Sequence, residues 1–191
     1  MADWTPDQGG AEGWEQEVAC VAYESNDALV LFDPLVDEGD WAEIDALVKR
    51  HGGPVVLVTT CPWHARSGGE ALRRYGNSPG STAELPGGVK AFLTDEPEGE
   101  ITLYIEEIHA VVAGDVLIGS EGDRTVPLRV CPQGWLESGS TVAKVKDALR
   151  PLLDLEVDAV VPLHGAPVLD DARETLRRAL EDGGAPVDSE A

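Results

Sequence analysis

One segment constrains the fold most: an apolar strand that stops abruptly and runs into a helix. Val55–Thr59 is short, uncharged and rich in β-branched residues, as in a strand buried on both faces. Pro62 stops this strand, and the pattern predicts a helix over Ala65–Tyr75. Gly68 and Gly69 would each weaken an isolated helix by about 1 kcal/mol relative to Ala, so we expect a close backbone contact at both.

Apolar strands alternate with amphipathic helices along the rest of the chain. The other predicted strands are Glu17–Tyr23, Ala28–Phe32, Val89–Thr94, Ile101–Glu106, His109–Ala113 and Ala159–Leu163. The other predicted helices are Trp41–Arg50, Thr141–Leu153 and Asp170–Leu180. Two β-rich halves, each followed by helices, predict an α+β fold, the four-layer αββα sandwich, in which two sheets pack face to face.

Length, charge and cysteine content limit the functions to consider. The 191 residues suffice for one domain, predicted over residues 14–182 between flexible tails at 1–13 and 183–191. The formal charge of -22 repels polyanions, so we expect neither nucleic acid nor a membrane as a partner, whereas a small-molecule ligand is compatible with it. Three cysteines at no disulfide-framework spacing, without a targeting segment, predict a cytoplasmic protein. The sequence does not predict the oligomeric state.

The segment that follows the central strand resembles a known metal-binding motif. VTTCPWHARSGG follows the frame THxHxDHxGG of the metallo-β-lactamase superfamily, whose histidines and aspartate hold one or two zinc ions. The ligand positions of that frame are occupied here by Cys61, Trp63, Ala65 and Arg66, whereas Thr60, Gly68 and Gly69 match it. The resemblance therefore covers the framework of the motif and not its ligands.

Three further matches occur in the order of that superfamily. Asp33-Pro34 stands at the family's Asp-Pro or Asp-Gly turn, Asp115 in HAVVAGDVLIG at the strand end that supplies the bridging aspartate, and His164 in VVPLHGAPV at a second-metal ligand. Two surviving ligands are too few for a zinc site. The resemblance thus implies a hydrolase-like protein with a dismantled dinuclear site, no bound cofactor and no zinc-hydroxide mechanism.

The same resemblance predicts what remains in the pocket. Arg66 replaces a ligand close to the bridging aspartate, so we expect a bidentate ion pair between Arg66 and Asp115. These two residues and His164 would form the floor, with Cys61, Trp63 and His64 at the edge. Such a pocket would bind a small anionic or carbonyl ligand. A histidine beside a tryptophan is also typical of a half-exposed packing pair.

Three alternatives remain open from the sequence. A reduced zinc site could use Cys61, Asp115 and His164, with Cys131 added if the loop CPQGW, which also carries Trp135, folds over it. An active hydrolase could use Cys61 as nucleophile with His64 or His164 as base, although no Gly-x-Cys-x-Gly elbow surrounds the thiol. Finally, the chain could be a scaffold or interaction protein with a filled pocket. Cys20 is interpreted as a small core residue.

Overall fold

The computed structural model describes residues 18–76, 85–94, 99–120, 126–136 and 138–181. The predicted tails lie outside the described residues. Its strands are β1 (Val21–Glu24), β2 (Leu29–Phe32), β3 (Val55–Val58), β4 (Val89–Leu93), β5 (Ile101–Ile105), β6 (Ala110–Gly119), β7 (Leu128–Val130) and β8 (Ala159–His164). The α-helices are α1 (Trp41–His51), α2 (Gly68–Tyr75), α3 (Val142–Leu149) and α4 (Ala172–Glu181). Among the described residues, no helix has the length and apolar character needed to cross a bilayer.

The strands form two sheets with different connectivity. The small sheet has the order β1-β2-β3, with β1 antiparallel and β3 parallel to β2. In the large sheet β4, β5, β6 and β7 are antiparallel neighbours, and β8 pairs parallel with β6. Each sheet therefore contains one parallel pair.

Alternating side chains on the strands divide the core into three layers of contacts. On β2, Leu29 and Leu31 pack outward with Trp41 of α1, whereas Val30 and Phe32 face the large sheet. On β6, Val112 joins this contact between the sheets. Its neighbours Val111 and Ala113 pack on the other face with α3 and α4, through Leu149 and Leu176. The predicted αββα sandwich is confirmed by this pattern.

Three local predictions need correction. The predicted strand His109–Ala113 continues to Gly119, so Asp115 lies within β6 and not at a strand end. The helix predicted from Ala65 begins at Gly68, after a 3₁₀ turn over Pro62–Ala65 that has proline in its first turn. The expected close contact at Gly68 and Gly69 is wrong, because a Cβ at either position would meet no atom within 4 Å.

A close approach does exist at Gly114, next to Asp115. The parallel register of β6 and β8 slips between the pairs Ala113–Pro162 and Ile118–His164. At Gly114 in this irregular stretch, an added Cβ would lie 2.5 Å from Thr60 Oγ1 and 2.9 Å from Glu100 Oε1. The missing side chain thus lets β6 approach the residues that follow β3.

Gly114→Ala should therefore destabilise the protein by about 1 to 3 kcal/mol, the usual cost of overpacking a tight interior position. Gly69→Ala is the matched control, because its new methyl group enters open space on a helix. Urea unfolding of both variants measures the difference. Equal stabilities for the two variants would contradict the close contact.

Candidate functional site

Chemically active side chains gather where the parallel strands of the two sheets end. Asp33 follows β2, and Cys61 and His64 follow β3 in the small sheet. In the large sheet, His164 is the last residue of β8, and Asp115 lies on its partner β6. The slip in register places Asp115 beside the end of β8. The two sheets thereby bring these five residues together in one site, at the ends of their parallel strands.

Asp33 organises the residues that follow β3. It is fully buried and has a positive φ of 43°, a conformation that aspartate tolerates better than most residues. Its Oδ1 accepts a hydrogen bond from the Thr60 backbone N–H at 2.7 Å, and its Oδ2 accepts one from the Thr60 hydroxyl. His64 Nδ1 lies 2.8 Å from Oδ2. Because a carboxylate only accepts, the His64 ring donates from Nδ1 and presents Nε2 to the site.

Two histidines converge on one oxygen of Asp115. Oδ1 lies 3.0 Å from His64 Nε2 and 2.8 Å from His164 Nε2. Despite these short distances, Oδ1 is buried and accepts no hydrogen bond with normal geometry from any described residue, and Nδ1 of His164 is also buried without a partner among them. The other carboxylate oxygen, Oδ2, accepts a hydrogen bond from Trp63 Nε1 at 2.6 Å.

Cys61 completes a group with metal-ligand chemistry. Its Sγ, a ring nitrogen of His64 and a carboxylate oxygen of Asp115 lie within 4.8 Å of one another. In the described part of the chain this is the one such group of three His, Cys, Asp or Glu residues. It shares Cys61 and Asp115 with the alternative set named from the sequence and adds His64, while His164 contacts Asp115 and Cys131 is not a member.

The charges of the site are strongly coupled. Burial alone would lower the pKa of His64, but contacts with Asp115 and Asp33 outweigh it and raise that pKa to about 9. Burial would raise the pKa of Asp115, yet the two histidines hold it well below its usual range. Burial and the charges of Asp115, Glu100 and Asp33 raise the pKa of the Cys61 thiol far above its usual value. A thiolate at Cys61 therefore needs a cation beside it.

Glu100 is a site residue that the sequence did not reveal, and Asp33, matched there only as part of a turn, is a second. Glu100 is buried, and its Oε1 accepts a hydrogen bond from the Val116 N–H at 2.9 Å. Burial and the nearby charge of Asp115 raise the pKa of Glu100 to about 8. Both acids stand directly beside an apolar strand, Asp33 after LVLF and Glu100 before ITLYI. That position, an acid adjoining a buried strand, is the sequence signal that could have identified them.

The predicted ion pair between Arg66 and Asp115 is wrong. Within the described chain, the Arg66 guanidinium donates a 3.4 Å hydrogen bond to the Ala19 carbonyl and has no carboxylate within 4.0 Å. Asp115 is contacted by His64 and His164 instead. The backbone explains the difference, because Arg66 has a φ of 35° between the 3₁₀ turn and α2, which directs this residue differently from a helical one.

The remaining predicted residues have mixed outcomes. His64 is buried and hydrogen-bonded, so the packing-pair interpretation fails for it, whereas Trp63 is 45% exposed. Trp135, in the loop whose position over the site the sequence leaves open, lies edge-on to the His164 ring with 6.1 Å between ring centroids. Cys20 is exposed and is not a core residue.

Comparisons with known proteins agree with this architecture. No family model matches the sequence, and no curated protein matches it. A metallo-β-lactamase from Hirschia baltica has a similar structure, with a TM-score of 0.56, 18% identity and coverage of 85% of this chain and 84% of that one. The protein TTHA1623 in a di-iron-bound form gives a TM-score of 0.54 at 18% identity, covering 84% of this chain and 92% of that one. The chain therefore has the metallo-β-lactamase fold, as its motifs predicted.

In the metal-free protein, the free energy of unfolding should fall by about 2 kcal/mol or more between pH 6 and pH 9, since each pKa unit corresponds to about 1.4 kcal/mol. The pKa of His64 rises to about 9 from 6.5, so its contribution is full below pH 6.5 and lost as the pH passes 9. The pKa of Glu100 rises to about 8 from 4.5, so its carboxyl group keeps its proton in the folded state up to about pH 8. Its contribution to the free energy of unfolding therefore also falls as the pH rises.

Urea unfolding with a chelator present, at both pH values, measures this fall. Glu100→Gln should make the pH dependence shallower, whereas Glu43→Gln, at an exposed position in α1, should leave it unchanged. Stability that is constant or rising from pH 6 to pH 9 would contradict the charge assignment.

Proposed function

We propose that this protein is a hydrolase-like member of the metallo-β-lactamase fold, in which the dinuclear zinc site is reduced to a site for one metal ion. Cys61, His64 and Asp115 would hold the ion, with His164 as a fourth ligand. The contact between Asp33 Oδ2 and His64 Nδ1 carries the proposal. A carboxylate on the remote ring nitrogen is the usual support of a metal-binding histidine, because it fixes the ring and leaves the other nitrogen for the metal.

The residues present fit such an ion. Two imidazole nitrogens lie at contact distance from Asp115 Oδ1 without hydrogen-bond geometry. Ligand atoms of one metal ion are arranged in this way, because their lone pairs point at the metal ion and not at one another. A buried thiol next to carboxylates would release its proton to solvent only when a bound cation stabilises the thiolate. One thiolate, two imidazoles and one carboxylate also supply the four ligands that zinc prefers.

A second ion has no comparable support. Trp63, Ala65 and Arg66 stand where the metallo-β-lactamase frame has further ligands, and none of them offers a metal donor. The Arg66 guanidinium acts electrostatically on Asp33 and Asp115, so it already supplies positive charge on this side of the site. These substitutions favour a single ion.

A bound zinc ion would polarise a carbonyl group or lower the pKa of a water molecule to about 7. The chain's own contribution would be to hold the substrate. Arg66 is half-buried and uses one N–H on the Ala19 carbonyl, which leaves donors for an anionic or carbonyl group. Its positive φ is the kind of backbone strain that is retained at functional positions.

A metal-free ligand-binding protein is the second candidate. The raised pKa of His64 favours an imidazolium held between Asp33 and Asp115, and this cation could stabilise the site without a metal. A cysteine hydrolase is less well supported, because a nucleophile needs a lowered pKa and that of Cys61 is raised. Within the described residues, no hydrogen bond joins Cys61 to His64.

Elemental analysis after zinc loading and desalting should find one zinc per chain. His64→Ala should reduce this to well below one, because it removes both a ligand and the partner of Asp33. His109→Ala is the control, since His109 is partly exposed and pairs with Asp158 away from the site. Absence of zinc from the wild-type protein would favour the metal-free candidate, and two ions per chain would contradict a single-ion site.

A further inference from the structure

We infer that Trp63 is a positioning residue for Asp115 and acts through its indole N–H. The inference rests on the proposed function, because Asp115 is one of the proposed metal ligands. Trp63 Nε1 donates a 2.6 Å hydrogen bond to Oδ2, the carboxylate oxygen that does not face the histidines. The indole therefore decides which oxygen of Asp115 is left for the metal.

The 3₁₀ turn over Pro62–Ala65 makes this arrangement possible. Trp63 and His64 are neighbours in sequence, yet Trp63 is 45% exposed and His64 only 4% exposed. Their ring nitrogens contact the two different oxygens of Asp115, Nε1 of Trp63 at Oδ2 and Nε2 of His64 at Oδ1. Consecutive residues of one turn thus contact both oxygens, and the hydrogen bond from Trp63 orients the carboxylate.

The exposure of Trp63 indicates that its polar edge is what the site uses. A tryptophan that served the core would bury its ring, as Trp41 does beside α2 at 8% exposure. Trp63 instead leaves much of its ring in solvent and directs its N–H at a carboxylate whose side chain is 20% exposed. Removing the donor should therefore affect Asp115 more than it affects the stability of the fold.

Two substitutions separate the donor from the ring. Trp63→Phe keeps an aromatic ring without the N–H and should weaken metal affinity about 10-fold, the typical effect of losing a hydrogen bond to a metal ligand. Trp63→Gln keeps a side-chain N–H donor without adding an imidazole ligand and should retain an affinity closer to wild type. Trp41→Phe makes the same chemical change in the core between α1 and α2 and should have no effect on affinity.

Competition of each variant with a chromogenic chelator for Zn²⁺ measures these affinities. The expected order is wild type and Trp41→Phe tightest, then Trp63→Gln, then Trp63→Phe. Equal affinities for wild type and Trp63→Phe would overturn the inference, as would equal losses in Trp63→Phe and Trp63→Gln.

A metal-free measurement distinguishes failure of this inference from failure of the proposed function. In the ¹⁵N-labelled apoprotein, Trp63→Phe identifies the indole N–H resonance of Trp63. Asp115→Ala, verified as folded by circular dichroism, should move that resonance and speed its exchange with solvent. If zinc does not bind but the resonance moves, the proposed function fails and the contact between Trp63 and Asp115 stands. An unmoved resonance would overturn the inference in either case.

Discussion

The buried carboxylate of Asp33 is the interaction on which the site depends. It ends β2, accepts hydrogen bonds from both the backbone and the hydroxyl of Thr60, and contacts the His64 ring. A buried charge is tolerated only when it is paired and hydrogen-bonded, so these contacts must form together. Asp33 therefore fixes where the chain goes after β3 and, in the same step, which nitrogen of His64 faces the site.

The next constraint is the concentration of acids around this point. Asp33, Glu100 and Asp115 are brought together with two histidines and a buried thiol, and burial, together with the charge of Asp115, raises the pKa of Glu100 to about 8, so that it is mostly protonated at neutral pH. Positive charge must balance the other two carboxylates, either as an imidazolium or as a metal ion. The imidazolium satisfies the acids, but within the part of the chain that the structure describes Asp115 Oδ1 and His164 Nδ1 are left without properly formed hydrogen bonds. A metal ion would use both the carboxylate oxygen and the thiol, which is why we favour it.

Much of the fold could be predicted from the sequence because runs of apolar residues indicate which strands are buried. Strands such as Leu29–Phe32 and Val55–Val58 are short and wholly apolar, and their register follows from which face meets the other sheet. Position along the motif also identified Asp115 and His164, which are in contact in the structure.

Contacts across the site were harder to predict. The sequence places both Trp63 and His64 at the pocket edge, whereas the 3₁₀ turn buries His64 and leaves Trp63 exposed. Arg66, with its positive φ, contacts the Ala19 carbonyl and not Asp115. Such local backbone states leave no periodic signal, and the pairing of Asp33 with His64 spans 31 positions.

X-ray absorption at the zinc edge of the loaded protein tests the central claim most directly. A site made of Cys61, His64, Asp115 and His164 predicts one sulfur ligand at about 2.3 Å, nitrogen and oxygen ligands at about 2.0 to 2.2 Å, and no neighbouring metal atom. The sulfur contribution should disappear in Cys61→Ser. A zinc environment without sulfur, or a second metal at about 3.5 to 4 Å as in two-metal hydrolases, would contradict a single-ion site built on Cys61 and His64.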